Sequence, residues 1–380
     1  MIVKIGDVIS EYSVRNKFDE NIPVYSVTNE KGFCTGYFSK EVASKDKSTY
    51  KIVPRGYFAY NPSRINVGSV DWQKYEDRVI VSPLYVVFGV SDRLDRQYLL
   101  HYLKSDMMLS FIKEYATGSV RDNLKLADLG KFPINLRPVE EQRQIAATLD
   151  KIDELIAKRR QQLDKLDELV KSRFIEMFGE PENNNKAWPV KSLDKLCTVG
   201  SSKRVYQSEQ SSEGVPFWRI SDLVSKIDTG TVDSALFISE IKYTELKRAG
   251  LVPVTGDILV TSRGTLGRCY IIQDEDCFYF QDGMISWLSN YSEEITPLYL
   301  QYLFTMSGFR KQIGNTQAGS TVAYLSIAML KKLQVMVPDK ALQEQFAAFV
   351  AQTDKSKLAI QKSLDKLEIL KKALMQKYFG

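Results

Sequence analysis

The sequence predicts an α+β protein with an internal pseudo-two-fold repeat, in which two globular modules of mixed α/β structure are separated by two long helices forming an antiparallel coiled coil. The length of 380 residues exceeds what one hydrophobic core usually supports. The second half also repeats the first at an offset of 201 residues. Matched pairs include Gln142 with Gln343, Ala146 with Ala347, and Phe178 with Phe379. Finally, a long apolar stripe closes each half. Together these observations indicate a tandem duplication.

Five segments are expected in chain order. They are a first module (1–137), a first long helix (138–179), a linker (180–187), a second module (188–337) and a second long helix (338–380). Pro138 and Pro338 precede the helices, where proline is well tolerated. Gly179 and Pro181 end the first helix, and the polar linker that follows marks the clearest boundary in the chain.

Each module combines strand and helix signals. Short β-branched and aromatic runs between Gly, Pro and Asn turns predict strands. These runs are 57–60 and 79–81 in module 1, and 258–260 and 269–272 in module 2. A helical pattern follows near 97–115, and its counterpart near 297–313. Both modules are therefore expected to be α+β.

The two closing stripes follow the 4-3 spacing of a coiled-coil seam. Its apolar members are Ile145, Leu149, Ile152, Ile156, Leu163, Leu166 and Val170 in the first helix, and Val350, Ile360, Leu364, Leu367 and Leu374 in the second. One seam cannot bury itself, and a folded module returns the chain between the two, so we expect an antiparallel pair. The alternative is that each stripe packs only on its own module. A helix from Glu140 to Phe178 would extend roughly 55 to 60 Å, which favours a projecting pair.

Composition narrows the class of protein. The chain is 44% hydrophobic and 26% charged, with a formal net charge of +5 that tilts it modestly toward polyanions. Its four cysteines lack Cys-x-x-Cys spacing, so they are expected to be reduced, without a zinc site. No signal peptide and no membrane-spanning apolar run is evident, which predicts a cytoplasmic location.

Catalytic signatures are missing. The chain has no phosphate-binding Gly-x-x-x-x-Gly-Lys loop, no Gly-x-Gly-x-x-Gly and no Gly-x-Ser-x-Gly, and a single histidine, His101, excludes a histidine metal cluster. Residues 60–63 (Tyr-Asn-Pro-Ser) are interpreted as a turn. Glu240 and Lys242 have the spacing of half a nuclease site, but a solvated surface explains them better. No self-contained enzyme is expected, and no metal is assigned.

Two pairs of matched loops are the candidate binding features. The segments 63–68 and 262–267 share the pattern Ser-Arg-x-[Asn/Thr]-[Val/Leu]-Gly, and Gly-Ser pairs recur at 118–119 and 319–320. Arginine and small polar residues beside glycine suit phosphate oxygens or base edges. The candidate contacts are Arg64, Asn66, Arg121 and Asn123 in module 1 and Arg263, Thr265, Ser320 and Thr321 in module 2, with Lys203 and Arg204 as weaker phosphate candidates. The alternative is that the loops are duplicated turns retained for folding.

The whole chain resembles the DNA specificity subunit of type I restriction-modification enzymes. The resemblance is carried by the order module, helix, module, helix, by Glu140-Glu141-Gln142-Arg143 and Gln343-Glu344-Gln345-Phe346 at the helix starts, and by the 262–267 loop. The second helix start departs from the first, because Leu342 stands where the first has Glu141.

The resemblance implies that each module is a target-recognition domain reading one half of a split double-stranded DNA site. The helices would be both spacer and docking surface. The implied partners are two methyltransferase subunits, which use S-adenosylmethionine to methylate adenine, and restriction subunits, which use ATP and Mg²⁺ to cut DNA. This chain would itself bind no cofactor, perform no catalysis and contact no membrane.

Because the modules share a frame but differ in loop residues, an asymmetric bipartite site with an unread spacer is expected. Half-sites on one DNA face lie about 34 to 36 Å apart, and a rigid helix pair can hold two modules at such a separation. Two rival functions stay open: a coiled-coil adaptor that recruits other proteins without binding nucleic acid, and a stand-alone modification enzyme, which the missing motifs disfavour.

Overall fold

A computed structural model of the chain describes residues 1–36, 46–115, 123–315 and 323–380. The chain folds into two compact units. Unit 1 comprises Met1–Gln161 and Gln361–Gly380, and unit 2 comprises Gln162–Ile360. Each unit thus contains one module, the first half of one long helix and the last half of the other. The five-segment division by chain order remains a prediction.

Unit 1 contains ten short strands among its described residues. They are β1 (Ile2–Lys4), β2 (Ile9–Glu11), β3 (Ser26–Thr28), β4 (Gly32–Cys34), β5 (Lys51–Pro54), β6 (Phe58–Tyr60), β7 (Val70–Trp72), β8 (Arg78–Val81), β9 (Val86–Val90) and β10 (Pro133–Asn135). The largest sheet has the order β2-β9-β6-β7 and is antiparallel throughout. Buried Phe58 and Phe88 stack in its core, with ring centroids 5.0 Å apart.

Three short helices precede the first long helix among the described residues of unit 1. They are α1 (Arg96–Leu103), α2 (Asp106–Tyr115) and α3 (Leu126–Leu129), and the long helix is α4 (Val139–Phe178). The single helical pattern expected near 97–115 is therefore two helices. Ser105 divides them, because its hydroxyl donates to the Tyr102 carbonyl at 2.7 Å and accepts from the Met108 N–H at 3.2 Å, capping α2.

Unit 2 repeats this sheet framework. Its strands are β11 (Val190–Ser192), β12 (Thr198–Gly200), β13 (Gln210–Ser211), β14 (Val215–Trp218), β15 (Phe237–Ile238), β16 (Ile258–Thr261), β17 (Cys269–Ile271), β18 (Tyr279–Phe280), β19 (Ile285–Ser289) and β20 (Gln334–Met336). The order β12-β19-β16-β17 matches that of the largest sheet in unit 1. A second sheet, β13-β15-β14-β18, includes one parallel pairing.

The helices of unit 2 include two without a counterpart among the described residues of unit 1. They are α5 (Ile220–Thr229), α6 (Glu240–Arg248), α7 (Pro297–Leu303), α8 (Ser307–Asn315), α9 (Ile327–Lys332) and α10 (Lys340–Phe379). The pattern expected near 297–313 is again two helices, α7 and α8. Module 2 inserts α5 and α6 between β14 and β16, where the described residues of module 1 form short strands and turns.

The long helices α4 and α10 pack antiparallel within each unit, as predicted. In unit 1, Asp153 pairs with Lys371 at 2.6 Å and Arg160 pairs with Glu368 at 2.8 Å, so partner numbers fall along α10 as they rise along α4. In unit 2 the same direction is set by two contacts. Asp167 pairs with Lys357 at 2.5 Å, and the rings of Phe174 and Phe346 lie 5.5 Å apart.

The apolar seam is buried or half-buried along its length. Buried members are Ile145, Leu149, Ile152, Ile156, Val170, Val350 and Leu364, and half-buried members are Leu163, Leu166, Ile360, Leu367 and Leu374. The helices also contact the modules. Ile145 and Leu149 belong to the core of unit 1, whereas Val170 belongs to that of unit 2. The long helices therefore both pair with each other and pack on the modules.

A buried glutamine fastens each long helix to its module. The Gln142 amide oxygen accepts from the Asp95 N–H at 2.8 Å, and its nitrogen donates to the carbonyls of Arg93 and Arg137 at 3.0 and 2.7 Å. Gln343 repeats these contacts in unit 2 at distances of 2.8 to 2.9 Å, with partners Thr296, Glu294 and Pro338. Every one of these partners lies at the 201-residue offset, so the duplication keeps all three contacts.

Candidate nucleic-acid interface

The loop that follows β6 is held in shape by hydrogen bonds within the loop. The Asn61 side chain accepts hydrogen bonds from the N–H and hydroxyl of Ser63 at 3.1 and 2.9 Å, which forms a local Asx turn. A single 3₁₀ turn follows, and Gly68 ends it with a φ of 84°, a conformation that glycine adopts without strain. Arg64 is left exposed and Asn66 half-buried.

The matching loop follows β16 in unit 2. The Gly267 N–H donates to the Thr261 carbonyl at 2.8 Å, and the Thr261 N–H donates to the Arg268 carbonyl at 2.9 Å, so the loop closes on the end of its strand. Gly264 and Gly267 both have positive φ, at 68° and 72°. Arg263 and Thr265 are consequently exposed at the tip.

Each loop is braced by the same second segment. In unit 1 the Leu124 N–H donates to the Pro62 carbonyl at 3.2 Å, and in unit 2 the Leu325 N–H donates to the Ser262 carbonyl at 2.9 Å. Exposed Asn123 immediately precedes the first of these leucines. The residues that follow the second matched pair therefore contact the first loop in each unit, while the Gly-Ser pairs at 118–119 and 319–320 lie outside the described residues. The predicted contacts Arg121, Ser320 and Thr321 lie outside the described residues.

Unit 2 adds an aromatic contact to this arrangement. Arg263 and Tyr324 form an isolated antiparallel bridge, and the Arg263 guanidinium lies 5.0 Å from the centroid of the Tyr324 ring. Such a cation–π contact restricts the arginine to fewer conformations while leaving its N–H groups available to acceptors. The corresponding residue of unit 1 is Asn123, so the braced loops differ in chemistry.

The weaker candidates Lys203 and Arg204 lie on a neighbouring segment of unit 2. Both are exposed, but the Arg204 guanidinium pairs with Asp282 at 2.9 Å, which partly neutralises its charge. The turn containing Asp282 also contacts the Arg263 loop, because the Ser262 N–H donates to the Met284 carbonyl at 2.9 Å. Lys203 and Arg204 thus lie beside the loop that carries Arg263.

Two features of this surface were not identified from the sequence. In unit 1, the turn between β3 and β4 and the Tyr85 side chain line a cleft with the Arg64 loop. In unit 2, Arg310 of α8 donates to the Leu266 carbonyl at 3.4 Å, which places a further arginine beside the loop. The Asn-Glu-Lys-Gly run at 29–32 between apolar Val27 and Phe33 is a hairpin signal that could have identified the turn.

Residues considered for catalysis have structural partners. Lys242 of α6 pairs with Glu209 at 2.5 Å, and His101 is buried with its Nε2 atom 2.8 Å from Asp150 Oδ1. Burial raises the pKa of Asp150, but the hydrogen bond and charge of His101, aided by Gln97 and Lys74, outweigh it and hold that pKa below its usual value. Among the described residues, no three His, Cys, Asp or Glu side chains lie close enough to hold a metal ion.

No helix in the described ranges is both long enough and apolar enough to cross a membrane. All four cysteines are free, and burial raises the pKa of the Cys197 thiol to about 12. That thiol is accordingly unreactive at neutral pH.

The fold and its loops define a class of protein: a duplicated recognition protein whose two units share a scaffold and present different polar loops at equivalent places. The family model of the type I restriction modification DNA specificity domain matches residues 2–168 and 185–370. Because these matches cover most of the chain, the protein belongs to that family.

Relatives and solved structures agree with this assignment. A putative type I restriction enzyme specificity subunit of Haemophilus influenzae is 27% identical over 305 residues, covering 77% of this chain and 74% of the relative. The MjaIX specificity subunit of Methanocaldococcus jannaschii is 24% identical over 309 residues, covering 75% of this chain and 68% of the relative.

Two solved structures share the fold. The S subunit of a type I restriction-modification system from M. genitalium aligns over 100% of this chain and 96% of its own, with a TM-score of 0.57 and 17% identity. A chain from a structure describing assembly and conformational transition of the type I R-M system aligns over 100% of this chain and 97% of its own, with a TM-score of 0.58 and 17% identity.

Proposed function

We propose that this chain is the DNA-reading subunit of a type I restriction-modification complex and that it directs methyltransferase and restriction subunits to an asymmetric bipartite site. The observation that carries the proposal is the braced loop. The same leucine N–H supports it in both units, yet one unit presents Arg64 and Asn66 and the other presents Arg263 and Thr265. A repeated scaffold with unlike polar tips suits reading two different half-sites.

The proposed partners follow from family membership. Two methyltransferase subunits would supply S-adenosylmethionine chemistry, and restriction subunits would supply ATP-dependent cleavage with Mg²⁺. This chain would contribute sequence recognition and docking surfaces in the cytoplasm, with no catalytic step of its own. The loops Arg64 to Gly68 and Arg263 to Gly267, with Asn123, Lys203 and Arg204 beside them, are the proposed DNA contacts. Arg121, Ser320 and Thr321 are proposed on the sequence alone.

The proposal is tested by methylome sequencing in cells carrying the chain and its methyltransferase subunit. A split, non-palindromic methylated motif is expected. Arg263→Ala should weaken binding of the assembled complex to its own duplex by about 1 to 3 kcal/mol if the guanidinium reads a base, and should relax the motif in one half only. If it contacts a phosphate instead, all sequences should weaken alike and the salt dependence should fall.

Arg248→Ala is the matched control, since Arg248 is an exposed arginine of the same module at the end of α6. It should leave affinity and motif unchanged. A continuous or perfectly palindromic motif would contradict the bipartite site, and an Arg263→Ala complex indistinguishable from wild type would remove the loop assignment. A complex that assembles but shows no preference among duplexes would instead support the coiled-coil adaptor.

A further inference from the structure

A polar cleft in unit 1 extends the proposed interface beyond the loop that carries Arg64. It lies between the turn joining β3 to β4 and the loop after β6, and its volume is about 340 Å³. Asn29 and Lys31 line one side, Asn61 and Arg64 line the other, and Tyr85 completes it. The cleft therefore joins Arg64, a residue proposed to contact DNA, to a second group of exposed polar side chains.

The β3–β4 turn is held rigidly against the rest of unit 1. The Lys31 N–H donates to the Thr28 hydroxyl at 3.1 Å, and Lys104 Nζ donates to the Asn29 carbonyl at 3.2 Å. Gly32 has a φ of 60°, and a Cβ atom there would lie 2.0 Å from the Asp71 carboxylate, so only glycine fits. A turn fixed in this way pays little conformational entropy when it binds a ligand.

The side chains at the tip of this turn have no partners in the described part of the chain. Asn29, Glu30 and Lys31 are all exposed, and none of the three forms a side-chain hydrogen bond or ion pair with a described residue. Arg64 across the cleft is likewise without a carboxylate partner among those residues. Four polar groups are thus oriented by their backbone and available to a ligand.

The chemistry of the tip favours base edges over phosphates. A carboxylate such as Glu30 repels phosphate oxygens but accepts hydrogen bonds from the amino group of cytosine. An asparagine amide matches the adjacent donor and acceptor of adenine, and lysine or arginine matches the acceptors of guanine. A surface built only to hold the DNA backbone would contain cations without Glu30.

The same place in unit 2 is built differently. A parallel pairing precedes it in both units, between Val24 and Ile80 in unit 1 and between Phe217 and Tyr279 in unit 2. The chain then forms the β3–β4 hairpin in unit 1 but helix α5 in unit 2. The two units thus share the parallel pairing but differ in the segment that follows it. Such a difference is expected if that segment has a different function in each unit.

We propose that the turn Thr28–Lys31, together with Arg64, reads base edges in the half-site bound by unit 1. This inference rests on the proposed function, because it requires that the chain bind DNA. It adds Asn29, Glu30 and Lys31 to the specificity-determining residues and assigns them to one half of the recognised sequence.

The test compares methylated motifs and duplex affinities for complexes carrying Asn29→Ala, Glu30→Ala or Lys31→Ala. Each variant should relax one or two positions of a single half-site, and the best of them should lower affinity for the cognate duplex by about 5- to 150-fold. The other half-site and the spacer should not change. Thermal unfolding should also be unchanged, since the three side chains have no partners among the described residues.

Lys4→Ala is the matched control for Lys31→Ala, because Lys4 is an exposed lysine of β1 outside the cleft. Unchanged motifs and affinities in all three turn variants, with Arg263→Ala still altering the opposite half-site, would refute this inference and leave the proposed function standing. A uniform loss of affinity for every sequence would also refute base reading. Absence of any motif from the wild-type complex would remove both proposals.

Discussion

The paired glutamines Gln142 and Gln343 provide the sharpest test of how the duplicated scaffold is held together. Replacing either with leucine keeps most of the side-chain volume and a similar helix propensity while removing every hydrogen bond of the amide. In each unit this leaves one backbone N–H and two backbone carbonyls without their partner beside a buried side chain. In unit 2 the Thr296 hydroxyl, which donates to the same amide oxygen at 3.1 Å, also loses its acceptor, so the cost is counted on the three backbone groups that both units share.

The expected cost follows from that count of lost partners. A buried polar group left without a hydrogen bond costs about 1 to 3 kcal/mol, and three such groups at the lower value give about 3 kcal/mol for each variant. For a unit of this size, that corresponds to a decrease of about 6 to 12 °C in the midpoint of thermal unfolding. Because the contacts are repeated with the same geometry, the two variants should lose similar amounts.

Thermal unfolding followed by tryptophan fluorescence distinguishes the units. Trp72 is the one tryptophan of unit 1, whereas Trp188, Trp218 and Trp287 belong to unit 2. The matched controls are Gln144→Leu and Gln345→Leu, which change exposed glutamines of the same two helices.

Gln142→Leu and Gln343→Leu should both lower the midpoint, with the controls close to wild type. The reasoning is refuted if the two buried-glutamine variants unfold at the same midpoint temperature as the controls. A large loss in one buried variant and none in the other would refute the equivalence of the two contacts.

Three further predictions concern stability. Leu166→Asp places a charge in the half-buried seam and should lower the free energy of unfolding of unit 2 by about 2 kcal/mol. Leu169→Asp, on the exposed side of α4, should lower it little. Equal unfolding temperatures for the two variants would contradict the assignment of Leu166 to the seam. The lowered pKa of Asp150 means that its ionised carboxylate stabilises the fold above the unfolded pKa of about 3.9. This stabilisation is lost as pH falls through the folded pKa, so Asp150→Asn should unfold at a lower temperature than wild type at pH 7 and at the same temperature in strong acid. A pH-independent difference would exclude this linkage. Gly308→Ala brings a Cβ to 2.5 Å from the Glu182 backbone nitrogen and should destabilise unit 2 by about 1 to 3 kcal/mol. Gly314→Ala in the same helix meets open space and should not destabilise it. If calorimetry found Gly314→Ala the less stable of the two variants, the close contact at Gly308 would be refuted.

The repeat and the apolar periodicity were enough to predict the long helices and their direction. Periodicity reports which side chains must be buried, and two equal stripes can bury each other only by pairing. The helical patterns near 97–115 and 297–313 were less well predicted, because apolar spacing continues across the break. Ser105 interrupts the backbone hydrogen bonding without interrupting the spacing, so periodicity cannot detect it.

The candidate site was predicted in part. The loops containing Arg64 and Arg263 stood out because both copies keep the same pattern, and their contacts with 123–124 and 324–325 follow the second matched pair. The turn at 28–31 was missed because unit 2 has no copy of it, and comparison of repeats reveals only what both copies keep. The pairing of Arg204 with Asp282 could not be foreseen either, since 78 residues separate them in the chain.

At two seam positions where the first helix has an apolar residue, the second helix has a lysine. Lys357 and Lys371 stand where the first helix has Ile156 and Val170, and each lysine faces a carboxylate of α4. An all-apolar seam would bury somewhat more surface. It would also permit several alignments of similar energy, because leucines repeating at heptad spacing meet leucines again after each slip.

The lysines remove those alternatives. From the observed pairs, a slip of one heptad in one direction would set Lys357 opposite Arg160 and Lys371 opposite Ala146. The opposite slip would set Lys371 opposite Arg160 and Lys357 opposite Phe174. Either error pairs one lysine with a like charge and the other with an apolar side chain. Two half-buried charges thus favour one alignment of the helices, whereas two identical apolar stripes would allow several.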